Sequence, residues 1–382
     1  MYKDSTFGKI LKLLNREIVS KLVEEHKSDK YSKGFGTWNQ LVAMLFAQFS
    51  NCRSLRDLEI RFNSHSQYHY HLRTQRLKKS TLSDANRNRD CLVFRDIANA
   101  IIKGQDKELQ TIISLIDSSL IRVDGRGAAW TDATKTRCGK GLKLHVKSDG
   151  NGIIEDALLT ATNVNDISAA STIALEKNRV YVFDKGYNSF DWWHKIGLCK
   201  AYFVTRIKKK TAYRIVKERE ISGMDNVMRD CAIILTNKHP RGGKKNPLAG
   251  KELRLVEVYD KEHDKTYQFI TNLLDESATT IGDYYKSRWG IELLFKWLKQ
   301  NLKVTKFLGE SENSIKVQIY IALIAYVLLC KFKKLSGTAF KRVIDLLYWI
   351  RATIYSCNTS FTPPPPKTKI VDYNQLCFEE IL

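Results

Sequence analysis

The sequence predicts a mixed α/β core set between two helical regions, with a further strand-rich segment before the second of them. Two changes of apolar period carry this reading. Residues 1–105 repeat their apolar positions at helical spacing, residues 110–205 switch to short strand-like runs separated by turns, and from about 277 to 356 the helical period returns. The 382 residues suffice for two or three domains with their own cores, and 43% hydrophobic with 27% charged residues is ordinary globular composition.

The first residues, MYKDSTFGKILKLLN, lack the apolar stretch of a secretory signal. Trp38, Leu41, Val42, Leu45, Phe46 and Phe49 mark one amphipathic helix, and Ser54 is placed to cap a second, LRDLEIRF. Residues 65–79, HSQYHYHLRTQRLKK, read as a basic loop interleaved with aromatics. Its histidines, His65, His69 and His71, have no cysteines at zinc spacing beside them, so a loop is expected rather than a metal site. Ser80 or Thr81 then caps a helix that turns Leu82, Ala85, Val93, Ile97 and Ile101 inward. Asn86, Arg87, Asn88 and Arg89 crowd its first turns, where a groove-reading helix carries its contacts. Residues 1–105 are therefore expected to be an all-helical DNA-binding domain that binds by itself. Arg73, Arg76, Lys78 and Lys79 would meet phosphates, and Arg87 and Arg89 would set preference.

Residues 106–205 carry five strand candidates, in IISLIDSSLIRVDG, GLKLHVKSDG, IIEDALLTATNV, RVYVFDKGY and KAYFVTRI. A helix, DISAASTIALEKN, lies between the third and fourth, and SFDWWHKIG lies between the last two. Residues 206–275 hold further strands, CAIILTN, LRLVEVYD and TYQFITNL. Two basic stretches interrupt them, one with Lys208, Lys209 and Lys210, the other with Arg241, Lys244 and Lys245 in a Gly- and Pro-rich loop. A helical stretch at 276–310 precedes a helical C-terminal region and tail at 311–382, with an extended PPPP at 363–366. The longest apolar run, Ile319 to Cys330, has 12 residues, too few to span a bilayer, and reads as a core helix. Eight cysteines without a CxxC pair are expected to be reduced thiols of a cytoplasmic protein.

Charge narrows the partners. Against 41 acidic residues stand 63 Lys and Arg, a net +22 spread along the chain, which implies a polyanion, nucleic acid before membrane. Within YYKSRWGIELLFKWLK, Tyr285, Arg288, Glu292 and Lys299 fall at offsets of 3, 4 and 7. On one helix these lie within roughly 60° of one another along about 21 Å. Arg and Lys neutralise phosphates, Tyr donates a hydrogen bond, and Glu is a metal ligand, so the stripe suits a phosphodiester backbone. Asp117, in DSS after the apolar run IISLI, and Asp184, in DKGY after VYVF, put carboxylates at the ends of two strands. Asp124 is the alternative to Asp117. With Glu292 they would form a hard-oxygen set suited to Mg²⁺ and to two-ion phosphodiester chemistry.

These residues resemble the DDE transposases of the insertion-sequence-four family, whose mark is Y-x2-R-x3-E-x6-K. Tyr285, Arg288, Glu292 and Lys299 fit it without a gap, Trp289 after the arginine is typical, and DSS and DKGY match the two other acidic blocks. The carboxylates are 67 and 108 residues apart, the second interval lengthened by an insert, and the likeness covers about 110–310. It implies an RNase H-like core with a β-rich insertion, behind an all-helical DNA-binding domain and before a helical C-terminal region. Asp117, Asp184 and Glu292 would be catalytic and hold two magnesium ions, with manganese as a substitute. Tyr285, Arg288, Lys299 and Trp289 would contact DNA. The implied partners are double-stranded transposon ends and target DNA, bound by a homodimer, without membrane or small-molecule substrate and associated with the nucleoid. The insert lacks the tryptophan on which some members stack a flipped base, leaving Tyr267 or Phe269 for that task. Two other classes fit the same residues: an idle, transposase-derived regulator and a non-transposing RNase H-like nuclease.

Overall fold

Residues 4–105 form helices, with apolar faces meeting as the sequence period requires. They are α1 (Thr6–Leu11), α2 (Arg16–Glu25), α3 (Thr37–Phe49), α4 (Leu55–Asn63), α5 (Lys79–Asn88) and α6 (Leu92–Lys103). The computed structural model describes residues 4–357 except 106–111, 125, 138, 222, 224–225, 239–244, 303, 305 and 338–339. Ser54 caps α4 as expected, its Oγ accepting from Asp57 N at 3.1 Å. The single helix expected from Ser80 is instead two. α5 begins at Lys79 with no side-chain cap, and the backbone turns extended at Arg89 before α6 starts. Asn313, far along the chain, stabilises the break: its Nδ2 donates to the carbonyls of Asn86 and Arg89, and its Oδ1 accepts from Cys91 N. The orphaned helix-end groups are thereby satisfied without a local cap.

The middle of the chain forms β1 (Ile113–Arg122), β2 (Gly141–Asp149), β3 (Ile154–Ala161), α7 (Asp166–Ala170), β4 (Val180–Phe183), α8 (Phe190–Leu198) and β5 (Tyr202–Arg206). That is the expected order, although α7 is only five residues of the longer helix anticipated. β6 (Tyr213–Glu218), β7 (Val227–Leu235), β8 (Glu252–Asp260) and β9 (Lys265–Thr271) follow. The nine strands among the described residues make one sheet, in the order β3-β2-β1-β4-β5-β9-β8-β7-β6. β1, β4 and β5 run parallel, while β2, β3 and the later strands pair antiparallel. The inserted strands therefore extend the core sheet through β5–β9, and β6 arises from the first basic stretch, which was expected only to interrupt the strands.

Period-two alternation sends neighbouring residues to opposite faces. Leu115, Val182 and Val204 join the larger core on one face; Ile116, Phe183 and Phe203 pack on the other with Trp192 and Trp193 of α8. The larger core is covered by α9 (Ala278–Ser287), α10 (Trp289–Asn301), α11 (Glu312–Leu335) and α12 (Val343–Thr353). At 24 residues, α11 is long and apolar enough to cross a bilayer, but its most apolar window is 83% buried inside the protein. It packs against α3, α5, α6 and α12, and Tyr326 Oη donates to Gly152 O in the β2–β3 turn at 2.9 Å. The described ends of the chain also meet: Thr6 N and Phe7 N donate to Ser356 O and Ile354 O.

Candidate active site

Asp117 lies inside β1, which continues to Arg122, so the carboxylate is on a strand and not at its end as the sequence suggested. The parallel pair Ile116↔Phe183 ends one residue short of Asp117 and Asp184, setting the two acids side by side as β4 finishes. Asp124 is exposed beyond the strand. Glu292 comes from the first turn of α10. The four-residue stripe is shared by two helices rather than carried on one. α9 ends and α10 begins at Arg288, where Arg288 N donates to Tyr285 O and Ile291 N to Arg288 O in a tightened turn. Arg288 keeps right-handed helical dihedrals, φ −55° and ψ −28°, so the groups remain neighbours across the junction.

Two arginines divide the three carboxylates. Arg288 Nη2 is 2.7 Å from Glu292 Oε1 and its Nη1 is 3.5 Å from Asp117 Oδ2. Arg206, the last residue of β5, donates from Nη2 to Asp184 Oδ1 at 3.0 Å, and Tyr285 Oη approaches that oxygen at 3.4 Å. Both guanidinium groups lie over the Tyr285 ring, at 5.5 and 5.7 Å from its centre. The Nε atoms of Arg206 and Arg288 are buried with no protein acceptor. Lys299 Nζ donates to Ser119 Oγ at 2.7 Å. On the opposite face of β1, Ser118 Oγ donates to Asp166 Oδ1, which also pairs with Lys143 Nζ. Sequence reasoning missed Arg206, Asp166 and Lys143. Only their positions in strands adjoining the acidic ones, and at the start of the helix linking them, hinted at a role.

The environment separates the two aspartates. Burial pushes Asp117 up to about 6; Ser118 N and the Arg288 charge pull it down, while Glu292 and Asp184 add repulsion. Burial also raises Asp184, but Lys185 N and Arg206 outweigh it, so its carboxyl lies below the usual range. Burial lowers Lys299, with Arg122 adding to the effect. A crowded carboxylate trio with one member driven toward neutrality is short of positive charge, and its oxygen donors suit a divalent ion. The three do not close on one point, because the Arg288 guanidinium lies between Asp117 and Glu292. Among the described residues the set whose ligand atoms do converge is Asp260, Glu262 and His263, on the exposed β8–β9 turn. There Asp260 accepts from the backbone of Glu262 and the ring of His263, which is turn chemistry. In the histidine cluster, His69 is stacked on Phe62 and His65 on Tyr355.

Other anticipated contacts divide by exposure. Trp289 is 60% exposed beside the site. Arg73, Arg76, Lys78, Lys79, Arg87, Lys208, Lys209, Lys210 and Lys245 are exposed; Arg241 and Lys244 lie outside the described residues. Arg89 does not fit the expectation. Its side chain is 7% exposed and donates to Gln40 Oε1, Ser32 Oγ, Phe35 O and Ser28 O. Asn86 is buried as well, accepting from Gln40 Nε2 at 2.8 Å. Both are turned inward, so this helix does not present the row of base-reading groups foreseen for it. Phe269 is buried against Tyr285 with ring centres 4.6 Å apart, which removes it as a stacking platform; Tyr267 is half-buried beneath Arg206.

Comparison with known proteins places this arrangement in a family. Residues 108–328 match the transposase DDE domain, and residues 3–73 match a domain of unknown function, DUF4372. A Sinorhizobium fredii protein named as a transposase is 35% identical over 257 residues, 65% of this chain and 69% of its own. A Synechocystis protein named as the transposase of insertion sequence element IS4SA is 24% identical, over 74% of this chain and 79% of its own. A Geobacillus stearothermophilus protein named as a transposase for insertion sequence element IS5377 is 27% identical over 57% of this chain and 55% of its own. A solved piggyBac transposase synaptic complex with hairpin DNA aligns with 94% of this chain and 83% of its own at a TM-score of 0.48 and 13% identity, too distant to carry an argument. The chain belongs to the transposase DDE-domain family: it is an insertion-sequence transposase, an enzyme of DNA cleavage and joining that depends on divalent metal.

Proposed function

We propose that the site formed by Asp117, Asp184 and Glu292 cuts the phosphodiester at the ends of an insertion sequence and transfers the freed 3′-hydroxyl to target DNA. The observation that carries this is that Asp117 and Asp184 each follow the last residues paired between β1 and β4, Ile116 and Phe183, while Arg288 ties Asp117 to Glu292. The strand order β3-β2-β1-β4-β5, with β3, β2 and β1 antiparallel and β1, β4 and β5 parallel, supports an RNase H-like core for this chemistry. The three carboxylates would hold two divalent ions, magnesium by their hard oxygens with manganese as a substitute, and these would activate the attacking oxygen and stabilise the leaving one.

The protein's own groups bind and align. The guanidinium groups of Arg206 and Arg288, beside the carboxylates, would take non-bridging phosphate oxygens. Tyr285 supports both guanidinium groups from beneath, and Lys299, held by Ser119, extends positive charge along the DNA path. A homodimer would bring two ends together in the nucleoid-containing cytoplasm.

Asp117→Asn, Asp184→Asn and Glu292→Gln should each reduce Mg²⁺-dependent cleavage of end DNA by orders of magnitude and change DNA affinity little. Asp124→Asn should cleave like the unaltered protein. The measurement is single-turnover cleavage across a magnesium titration, with affinity measured in parallel. An active Asp117→Asn together with an inactive Asp124→Asn would overturn the assignment.

A further inference from the structure

The α5 helix buries two of the groups expected to read DNA, yet the same region offers another anionic surface. Two adjoining cavities of about 460 and 270 Å³ share Leu55, Ser83 and Leu308 and form one groove. It runs between the start of α4, the outer side of α5 and residues 307–311, which connect α10 to α11. Arg53, Arg56, Lys79 and Arg87 line it, with hydroxyls of Ser80 and Ser83 between them. Among the described residues none of these four cations is paired with a carboxylate, whereas Arg61, on the same α4, is held by Asp57 at 2.6 Å. One acidic side chain, Glu310, stands at the narrower end.

Four unneutralised cations around a groove floored by Leu55 and Leu308 fit a phosphate backbone. A protein segment would need several acidic side chains at matching spacing. The groove also lies close in sequence to the catalytic helix. Glu292 and Asn301 are nine residues apart on α10, about 14 Å, and Phe307 and Leu308, which line the groove, follow soon after Asn301. We propose that this groove holds the phosphodiester backbone of duplex DNA a short distance from the cleavage site, so that the helical region fixes the position of the duplex by its phosphates. This rests on the reading that the acidic site acts on DNA, and it assigns Arg53 and Arg56 a contact that the sequence did not indicate.

The test uses the full chain, a fixed-sequence duplex and a scrambled duplex, with affinity followed by anisotropy across a salt series. Arg53→Ala/Arg56→Ala should reduce the salt slope by about two units on both duplexes, and Arg87→Ala by about one, since each phosphate contact contributes roughly 0.9. Lys21→Ala, which removes an exposed charge from α2, is the control and should keep the full slope. Unchanged thermal melting would show that the exposed arginines were not structural. If the double variant keeps the wild-type slope, the groove does not hold DNA. If its slope is retained while self-association in sedimentation weakens, the groove is a contact between copies and the proposal is wrong. If the unaltered protein shows no salt-dependent duplex binding at all, the DNA reading of the acidic site fails first, and this inference fails with it.

Discussion

Arg206 is the residue on which the site's charge balance turns most plainly. Its guanidinium holds Asp184 at 3.0 Å and helps keep that carboxyl ionised, while the neighbouring Asp117 is driven the other way by burial. Hydrogen bonds to a charged group are worth about 1.5–3 kcal/mol, so Arg206→Ala should slow end cleavage roughly ten- to a hundredfold. Arg206→Lys should recover only part of this, because a single ammonium cannot serve both Asp184 and a phosphate oxygen through a planar fork. Single-turnover rates at saturating DNA would decide it; wild-type rates for the alanine variant would reduce the pair to a structural ion pair. The contrast with Arg288 shows what a sequence can disclose. Arg288, Glu292, Tyr285 and Lys299 are tied together by helical spacing, a local relation. Arg206 gains its role because β4 and β5 pair in parallel, and nothing local marks an arginine at a strand end as the partner of an acid 22 residues earlier.

At the scale of elements, the sequence located the core strands and the helices beside the acidic site but not every interruption. The apolar period runs on from Leu82 to Ile101, so one helix was the natural reading, whereas Asn313 supplies the hydrogen bonds that let the chain break at Arg89. That break decides which arginine can meet solvent. Arg89 and Arg87 should therefore respond in opposite ways. Arg89→Ala strands Gln40 Oε1 and two carbonyls in a largely buried setting, and should lower stability by about 2–4 kcal/mol while leaving the salt slope of DNA binding intact. Arg87→Ala should leave the denaturation midpoint within about 0.5 kcal/mol and lower the slope. Urea melts and salt titrations on the two variants separate the cases; a stable Arg89→Ala with a reduced slope would restore the groove-reading helix. The junction at Arg288 is the same lesson in milder form, since there the tightened turn preserves the neighbours that the spacing implied.

At the scale of the whole molecule, long-range pairing does what local pattern could not announce. The strands of the insert read as a separate β-rich segment, but β9 pairs with β5 and lengthens the catalytic sheet to nine strands, so the basic turn at Lys208–Lys210 projects from the strand that carries Arg206. The N-terminal helices are equally bound to the far end of the chain. α3, α5 and α6 place their apolar faces on α11, α12 packs against α3, and one apolar core contains residues from Phe7 to Tyr355. A fragment of residues 1–105 would keep its helix-forming sequence but expose those faces, and short helices are marginal in water without tertiary packing. Such a fragment should therefore show weak helicity and no cooperative melt, in contrast to the self-sufficient domain that its period and charge suggest. Joining residues 1–105 through a flexible linker to 306–357 should restore a sharp transition, because α11 supplies both the apolar surface and the Asn313 clasp on the α5–α6 break. Far-ultraviolet circular dichroism on the two pieces would decide the matter. A cooperative melt from 1–105 alone would mean that the helical region carries a sufficient core of its own. It would then be able to deliver DNA to the acidic site as a tethered module, whereas a core shared with α11 requires it to hold the duplex in a fixed position relative to Glu292.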